Sequence, residues 1–123
     1  MTIKLSKEEK LDFFHRALCN GLGYIRNYGV GLHYDVDEYK QAKAKLNSPY
    51  EEDILRQMLL DGNSIIFKDF EGDEDAEITL KLVYENMDKV EARHLFDMSE
   101  EQDDVETADA ILQTIAYGEV QFG

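Results

Sequence analysis

One short stretch of the chain, DFEGDEDAEI, has residue types and spacing suited to binding chemistry. Acidic side chains occupy every second position, with Glu74 as an addition: Asp69, Glu71, Asp73, Asp75 and Glu77. Such a stretch can form a divalent-cation loop, an imitation of a phosphate backbone, or a well-hydrated turn. Each use makes a different demand on the neighbouring residues.

A calcium loop needs oxygen ligands at set positions. Counted from Asp69, the sixth position is Glu74, where an EF-hand loop has glycine, and the twelfth is Leu80, where it has glutamate. The EF-hand pattern is therefore excluded. A looser, weak divalent-cation site at this turn stays open, beside the simpler interpretation that the acids serve solubility.

A phosphate mimic needs a row of negative charge. Alternate residues of a strand recur every ~6.6 to 6.8 Å, comparable to the spacing of successive phosphates. Gly72 and the turn interrupt this alternation. A second acidic row follows later in the chain and adds to the first if the fold brings them together: Glu100, Glu101, Asp103, Asp104, Glu106 and Asp109.

The net charge of −14 is distributed unevenly. Residues 1–61 carry nine Lys and Arg against ten Asp and Glu, whereas residues 62–123 carry four against seventeen. A surface of this sign repels nucleic acid and anionic lipid, which bind through Lys and Arg. We therefore expect no direct nucleic-acid ligand and no membrane contact, and a basic protein as partner.

Other chemistry-bearing residues are sparse. His15 and Cys19 stand four apart, the spacing of a metal half-site or a thiolate–base pair, but no CxxC or HxxxH complements them, so they are interpreted as a core or boundary pair. His94 is interpreted as part of a helix-surface ion pair with Asp97. No phosphate-binding loop, GxSxG or HExxH occurs. We expect a protein that is not an enzyme and needs no cofactor.

The charge-balanced half is rich in tyrosine, a residue enriched at protein interfaces. A second hypothesis is therefore a structural or accessory protein that self-associates as a homo-oligomer through this half while its acidic half stays solvated. The simpler interpretation is that the tyrosines complete a core without tryptophan. The candidate residues for self-association are Tyr24, Tyr28, Tyr34 and Tyr39.

Periodicity and capping signals predict about five helices. A capping box at Ser6 and Glu9 begins the first, and Asp35 begins the second, over Val36 to Leu46. The third begins at SPYEED, with Ser48 as cap and Pro49 at its first position. Helical spacing returns from Leu80 to about Met98, with a break near Ala92, and Asp103 is the expected cap of the last helix.

The run SIIFKDF and the shorter EITL are typical of strands, and the acidic stretch between them has the composition of a turn. They predict a hairpin over 64–80, and the alternation of EVQF predicts a third strand over 119–122. The expected fold is α+β, with helices packed on a small antiparallel sheet in a single domain spanning 1–123. One cysteine and the lack of a ~20-residue apolar run favour the cytoplasm.

Three phrases, ALCNGLGY, LLDG and ADAILQTIAYGEVQFG, resemble small acidic proteins of unassigned function from phages and mobile elements of gut bacteria. The resemblance implies a genetic context and no mechanism. Small acidic phage proteins often act by binding host proteins, including defence nucleases. With the charge distribution, this favours a non-enzymatic binding protein that presents an acidic face, residues 69–77 and 100–109, to a basic host protein.

Overall fold

The computed structural model describes residues 4–25, 30–47, 50–69, 75–102 and 104–120, with backbone only for 23–25, 30 and 69. Within these ranges it contains six helices and three strands: α1 Lys7–Ile25, β1 Val30–His33, α2 Val36–Lys45, α3 Glu51–Leu60, β2 Ile65–Asp69, β3 Ala76–Ile78, α4 Leu80–Met87, α5 Ala92–Ser99 and α6 Val105–Tyr117. The α+β class with a small antiparallel sheet is confirmed.

Local capping fixes where several helices begin. The predicted capping box is reciprocal: Ser6 N–H donates to Glu9 Oε1 at 3.0 Å, and Glu9 N–H donates to Ser6 Oγ at 3.1 Å. Asp35 caps α2 by accepting from the Glu38 N–H. Thr79 caps α4 in the same way, through the Leu82 N–H. These bonds satisfy backbone donors that have no partner inside the helix.

Three details of the helix predictions are corrected. The predicted break near Ala92 is present, at residues 88–91, but it separates two full helices, so the described residues contain six helices rather than about five. Asp104, not Asp103, caps α6, since its side chain accepts from the Thr107 N–H. The residue preceding α3 is Tyr50, without a side-chain capping bond, while the predicted Ser48 and Pro49 lie outside the described residues.

The three strands are antiparallel, with β2 in the middle and β1 and β3 at its sides. In the register, Leu32 lies opposite Phe67, and Ile65 lies opposite Ile78. The third strand of this sheet is thus β1, which was not among the strands predicted from the sequence. The predicted strand over 119–122 is not seen at Glu119 and Val120, and residues 121 and 122 lie outside the described part.

Helix α6 lies at the centre of the molecule. Every residue from Thr107 to Ala116 is buried, because α1, α4, α5 and β3 all pack on it. A helix buried on all sides is typical of a core helix. No helix of the described residues has the length and apolarity to span a bilayer.

Gly21 sets how closely α1 approaches α6. A Cβ atom at Gly21 would lie 2.9 Å from Leu112 Cδ1 and 3.1 Å from Ala108 Cβ, closer than side chains normally allow. The helix continues through this glycine to Ile25. Glycine is unfavourable inside a helix by about 1 kcal/mol relative to alanine, and at Gly21 it permits this close helix–helix contact.

Candidate partner-binding face

The second acidic row predicted from the sequence begins in the segment that joins α5 to α6. We call residues 100–104 the acidic connection; Asp103 within it lies outside the described residues. Glu100, Glu101 and Asp104 are exposed, and Glu106 continues the exposed acidic run into the first turn of α6. Among the described residues, none of these four carboxylates forms a salt bridge.

The backbone of the acidic connection is held in a defined turn. Gln102 N–H donates to the Asp97 carbonyl at 2.8 Å and Glu101 N–H donates to the Met98 carbonyl at 3.2 Å, the paired bonds of a Schellman motif. Glu101 consequently has φ 57°, a left-handed conformation that favours glycine. Both this conformation and the negative charge at a helix C-terminus cost stability.

Asp104 completes the segment. Its carboxylate accepts from the Thr107 backbone N–H at 2.9 Å, and this hydrogen bond holds the pKa of Asp104 below its ordinary value. Asp104 is therefore ionised near neutral pH and has a fixed orientation at the start of α6. The charge at this end of the connection is thus tied to the fold.

Two large apolar side chains flank the acidic connection and were missed by the sequence analysis. Phe96 in α5 and Val105 in α6 are each 44% exposed. In α5 the buried face contains Leu95 and Met98, so Phe96 lies off the apolar stripe. The position of Phe96 outside the apolar stripe could have predicted its exposure from the sequence. An exposed aromatic beside charged residues is a common feature of protein interfaces.

The predicted second acidic row is shorter than expected. Asp109 is 6% exposed, and both of its carboxylate oxygens accept from Gln113 Nε2 at 3.0 Å. Burial raises the pKa of Asp109, with a smaller opposite contribution from Gln113. Asp109 therefore belongs to the core, and the exposed row ends at Glu106.

Most of the hairpin tip falls outside the described structure. Glu71, Asp73 and Glu74 lie there, and Asp69 is described only by its backbone in β2. Asp75, just before β3, and Glu77, within β3, are exposed. Among the described strands β3 lies at one edge of the sheet, where a charged side chain such as Glu77 disfavours pairing with another chain. Approach of the hairpin tip to the acidic connection stays a prediction.

Three salt bridges of the described later half lie away from the acidic connection, and one of them uses a lysine of the earlier half. Lys10 Nζ of α1 pairs with Asp88 Oδ1 at 2.9 Å. Within the later half, Arg93 pairs with Glu91 at 2.9 Å, and Lys81 lies 3.8 Å from Glu85. None of these contacts involves Glu100, Glu101 or Asp104, the described carboxylates of the acidic connection.

His15 and Cys19, the pair four residues apart in α1, both lie next to residues of α3. His15 Nε2 lies 2.6 Å from Asp53 Oδ1, joining α1 to α3. Cys19 is exposed rather than a core residue, and partial burial of its thiol, then the neighbouring charge and hydrogen bond of Glu52, raise its pKa to about 11. The thiol is thus neutral at pH 7, which argues against a thiolate nucleophile.

The surroundings of His94 differ from those predicted. His94 is 8% exposed and its Nδ1 atom has no hydrogen-bond partner among the described residues, so the predicted surface ion pair with Asp97 is wrong.

In the parts of the chain that the structure describes, no three His, Cys, Asp or Glu side chains are arranged to hold a metal ion. The predicted cation loop at the hairpin tip lies largely outside them.

Of the candidate tyrosines, two are used within the chain. Tyr34 and Tyr39 stack with ring centroids 4.5 Å apart and pack against the hydrophobic core. Burial of Tyr39, and then its proximity to Tyr34, raise its pKa. Tyr24 is described only by its backbone in α1, and Tyr28 lies outside the described residues.

Comparison with known proteins adds no further assignment: no family model, curated protein or solved structure matches the chain.

Proposed function

We propose that this protein is a non-enzymatic binding protein that presents an acidic face to a basic protein partner. The carrying observation is the acidic connection, where Glu100, Glu101 and Asp104 are exposed and outside any salt bridge of the described residues. Their charges attract Lys and Arg of a partner and accelerate its association.

The apolar neighbours define what kind of basic partner fits. Phe96 and Val105 supply contact area on either side of the charged segment. A partner segment that carries Lys or Arg around an aliphatic or aromatic side chain satisfies both features. A purely polycationic segment satisfies only the charge.

The conformation of Glu101 supports the same proposal. A glutamate in a left-handed position at a helix C-terminus lowers stability, and glycine would fit there without strain. Residues that cost stability without a structural return are characteristic of functional surfaces. The host context suggested by the phage-like resemblance makes a basic, nucleic-acid-binding host protein the preferred class.

Capture of proteins from a bacterial lysate tests the proposal. The wild-type protein and the triple variant Glu100→Gln, Glu101→Gln, Asp104→Asn are immobilised at equal density, at low and at high salt. Asparagine is also a good N-cap residue and can accept from the Thr107 N–H, so the variant keeps the start of α6. We expect basic proteins on the wild type at low salt and their loss from the variant.

A matched control variant distinguishes binding at the acidic connection from a general effect of the net charge. The variant Asp37→Asn, Glu85→Gln, Glu119→Gln removes equally many charges from exposed positions elsewhere. It should retain the captured proteins. Equal loss from both variants, or no enrichment of basic proteins at low salt, would overturn the proposal.

A further inference from the structure

An open groove of about 340 Å³ lies between α1 and α3, on a surface separate from the acidic connection. Its lining consists of Glu8, Leu11, Asp12, Arg56, Gln57 and Leu60. The two helices run antiparallel here, since His15 meets Asp53 while the earlier Glu8 and Asp12 share the groove with the later Arg56. One wall is therefore acidic and the other basic.

The charges on these walls have no partners within the described chain. Arg56 is half-buried, yet its guanidinium forms no hydrogen bond or ion pair with any described residue. Glu8 and Asp12 are exposed and also lack an ion pair there. Gln57 is already engaged, because its Nε2 donates to Asp61 Oδ1 at 2.8 Å.

Between the charged walls the groove is apolar. Leu60 is 51% exposed, and Leu11 is half-buried. An exposed leucine therefore lies between unpaired charges of both signs. Binding of a partner here is favoured for two reasons: the apolar area leaves water, and the guanidinium of Arg56 acquires a counter-ion.

We infer that a second copy of this chain docks on the groove in a two-fold symmetric dimer. A purely basic partner leaves Arg56 without a counter-ion, and a purely acidic partner leaves Glu8 and Asp12 without one. A two-fold arrangement places Arg56 of each copy against the carboxylates of the other, with the leucines between them, because an isologous contact uses the same patch twice.

This inference is independent of the proposed function and uses a different surface from the tyrosines first considered. The net charge of −14 opposes association at low ionic strength. At ~0.15 M salt the screening length is about 8 Å, so distant charges cease to repel while contacts inside the groove persist. The dimer should therefore be stronger at physiological salt than at ~0.01 M.

Sedimentation from micromolar to millimolar concentration tests the dimer. Arg56→Glu should shift the dissociation constant at least about tenfold upward, and Leu60→Ser should weaken the dimer independently of charge. Adding Glu8→Lys and Asp12→Lys to Arg56→Glu reverses both walls and should restore association. Thermal melts of each variant establish that it is folded.

Arg93→Glu is the matched control, because it makes the same change of net charge at an exposed site outside the groove. It should leave the dimer unchanged. A wild type that stays monomeric at millimolar concentration and physiological salt overturns the inference. So does a dimer that survives both Arg56→Glu and Leu60→Ser, since its contact must then lie elsewhere.

Discussion

The side chain of Arg16 in α1 donates a hydrogen bond, 3.0 Å long, from Nη1 to the backbone carbonyl of Met98 in α5. The same carbonyl accepts the N–H of Glu101. A cation from the charge-balanced half of the chain thus sits at the C-terminus of α5, where it opposes the negative end of the helix dipole. It fixes the point at which the acidic connection leaves the helix.

Replacing Arg16 with methionine should lower the free energy of unfolding by about 1.5 to 3 kcal/mol, the range for a hydrogen bond to a charged group. Urea denaturation measures this change. Arg93→Met serves as the control: Arg93 forms only an exposed pair with Glu91 and should cost less than ~1 kcal/mol. Equal losses would contradict the structural role given to Arg16.

Glu101→Gly should have opposite effects on stability and on binding. Glycine relieves the left-handed backbone at φ 57°, and we expect a gain of about 1 kcal/mol in the free energy of unfolding. The same change removes an acidic side chain and should weaken binding of a basic peptide. Glu100→Gly, one residue earlier, has no positive φ to relieve and should not stabilise the protein. Tighter peptide binding by Glu101→Gly would count against the acidic face.

The sequence predicted best those features that local chemistry decides. The Ser6–Glu9 capping box and the Asp35 cap are short-range hydrogen bonds, and both are present as expected. Long-range pairing was harder: VGLH has a weak strand signature with its central glycine, and only the neighbouring β2 makes it a strand. The terminal EVQF alternates like a strand, but its described residues Glu119 and Val120 are not in one.

Gly21→Ala should destabilise the protein although alanine is the better helix former. The added methyl group meets Leu112 and Ala108 of the central helix, so α1 and α6 must separate or repack. Overpacking of this kind costs typically ~1 to 3 kcal/mol, which exceeds the ~1 kcal/mol gained in helix propensity. A thermal melt measures the balance. The double variant Gly21→Ala, Leu112→Ala tests the cause, because it should lose less stability than the two single changes add up to.

Asp109→Asn should stabilise the protein at neutral pH. Burial raises the native pKa of Asp109 above that of the unfolded chain, so ionised Asp109 makes the native state less stable as pH rises between the two pKa values. Asparagine removes this cost and can still accept from Gln113. In urea titrations, the advantage of the variant should shrink as pH falls below the pKa of the unfolded chain.

Asp104→Asn should change stability at neutral pH in the opposite direction to Asp109→Asn, although both residues belong to α6 or its cap. Hydrogen bonding lowers the native pKa of Asp104, so its ionised form stabilises the native state above the unfolded pKa, and that contribution disappears as pH falls through the native pKa. Its replacement should therefore cost stability at pH 7 and little in acid. The same pH dependence for both variants would show that the two carboxylates do not differ in environment as described.

The candidate site was only partly predictable from the sequence. The acidic row was visible, but Asp109 has the helical spacing of a surface residue and is buried only because α6 is covered on all sides. Phe96 and Val105 are candidate contact residues only because they are exposed beside the acidic connection, and their exposure was not predicted from the sequence. Likewise, the groove with Arg56 arises from the antiparallel packing of α1 on α3, which no sequence spacing encodes.

Titration of a defined basic peptide tests the central claim most directly. The peptide, about 20 residues long, alternates Lys and Arg with Leu, and calorimetry compares the wild type, the triple variant Glu100→Gln, Glu101→Gln, Asp104→Asn, and the charge-matched control variant. We predict saturable binding by the wild type that weakens with salt, binding at least about tenfold weaker for the triple variant, and unchanged binding for the control. Equal affinity of the wild type and the triple variant, or no binding at low salt, would contradict an acidic partner-binding face at the α5–α6 connection.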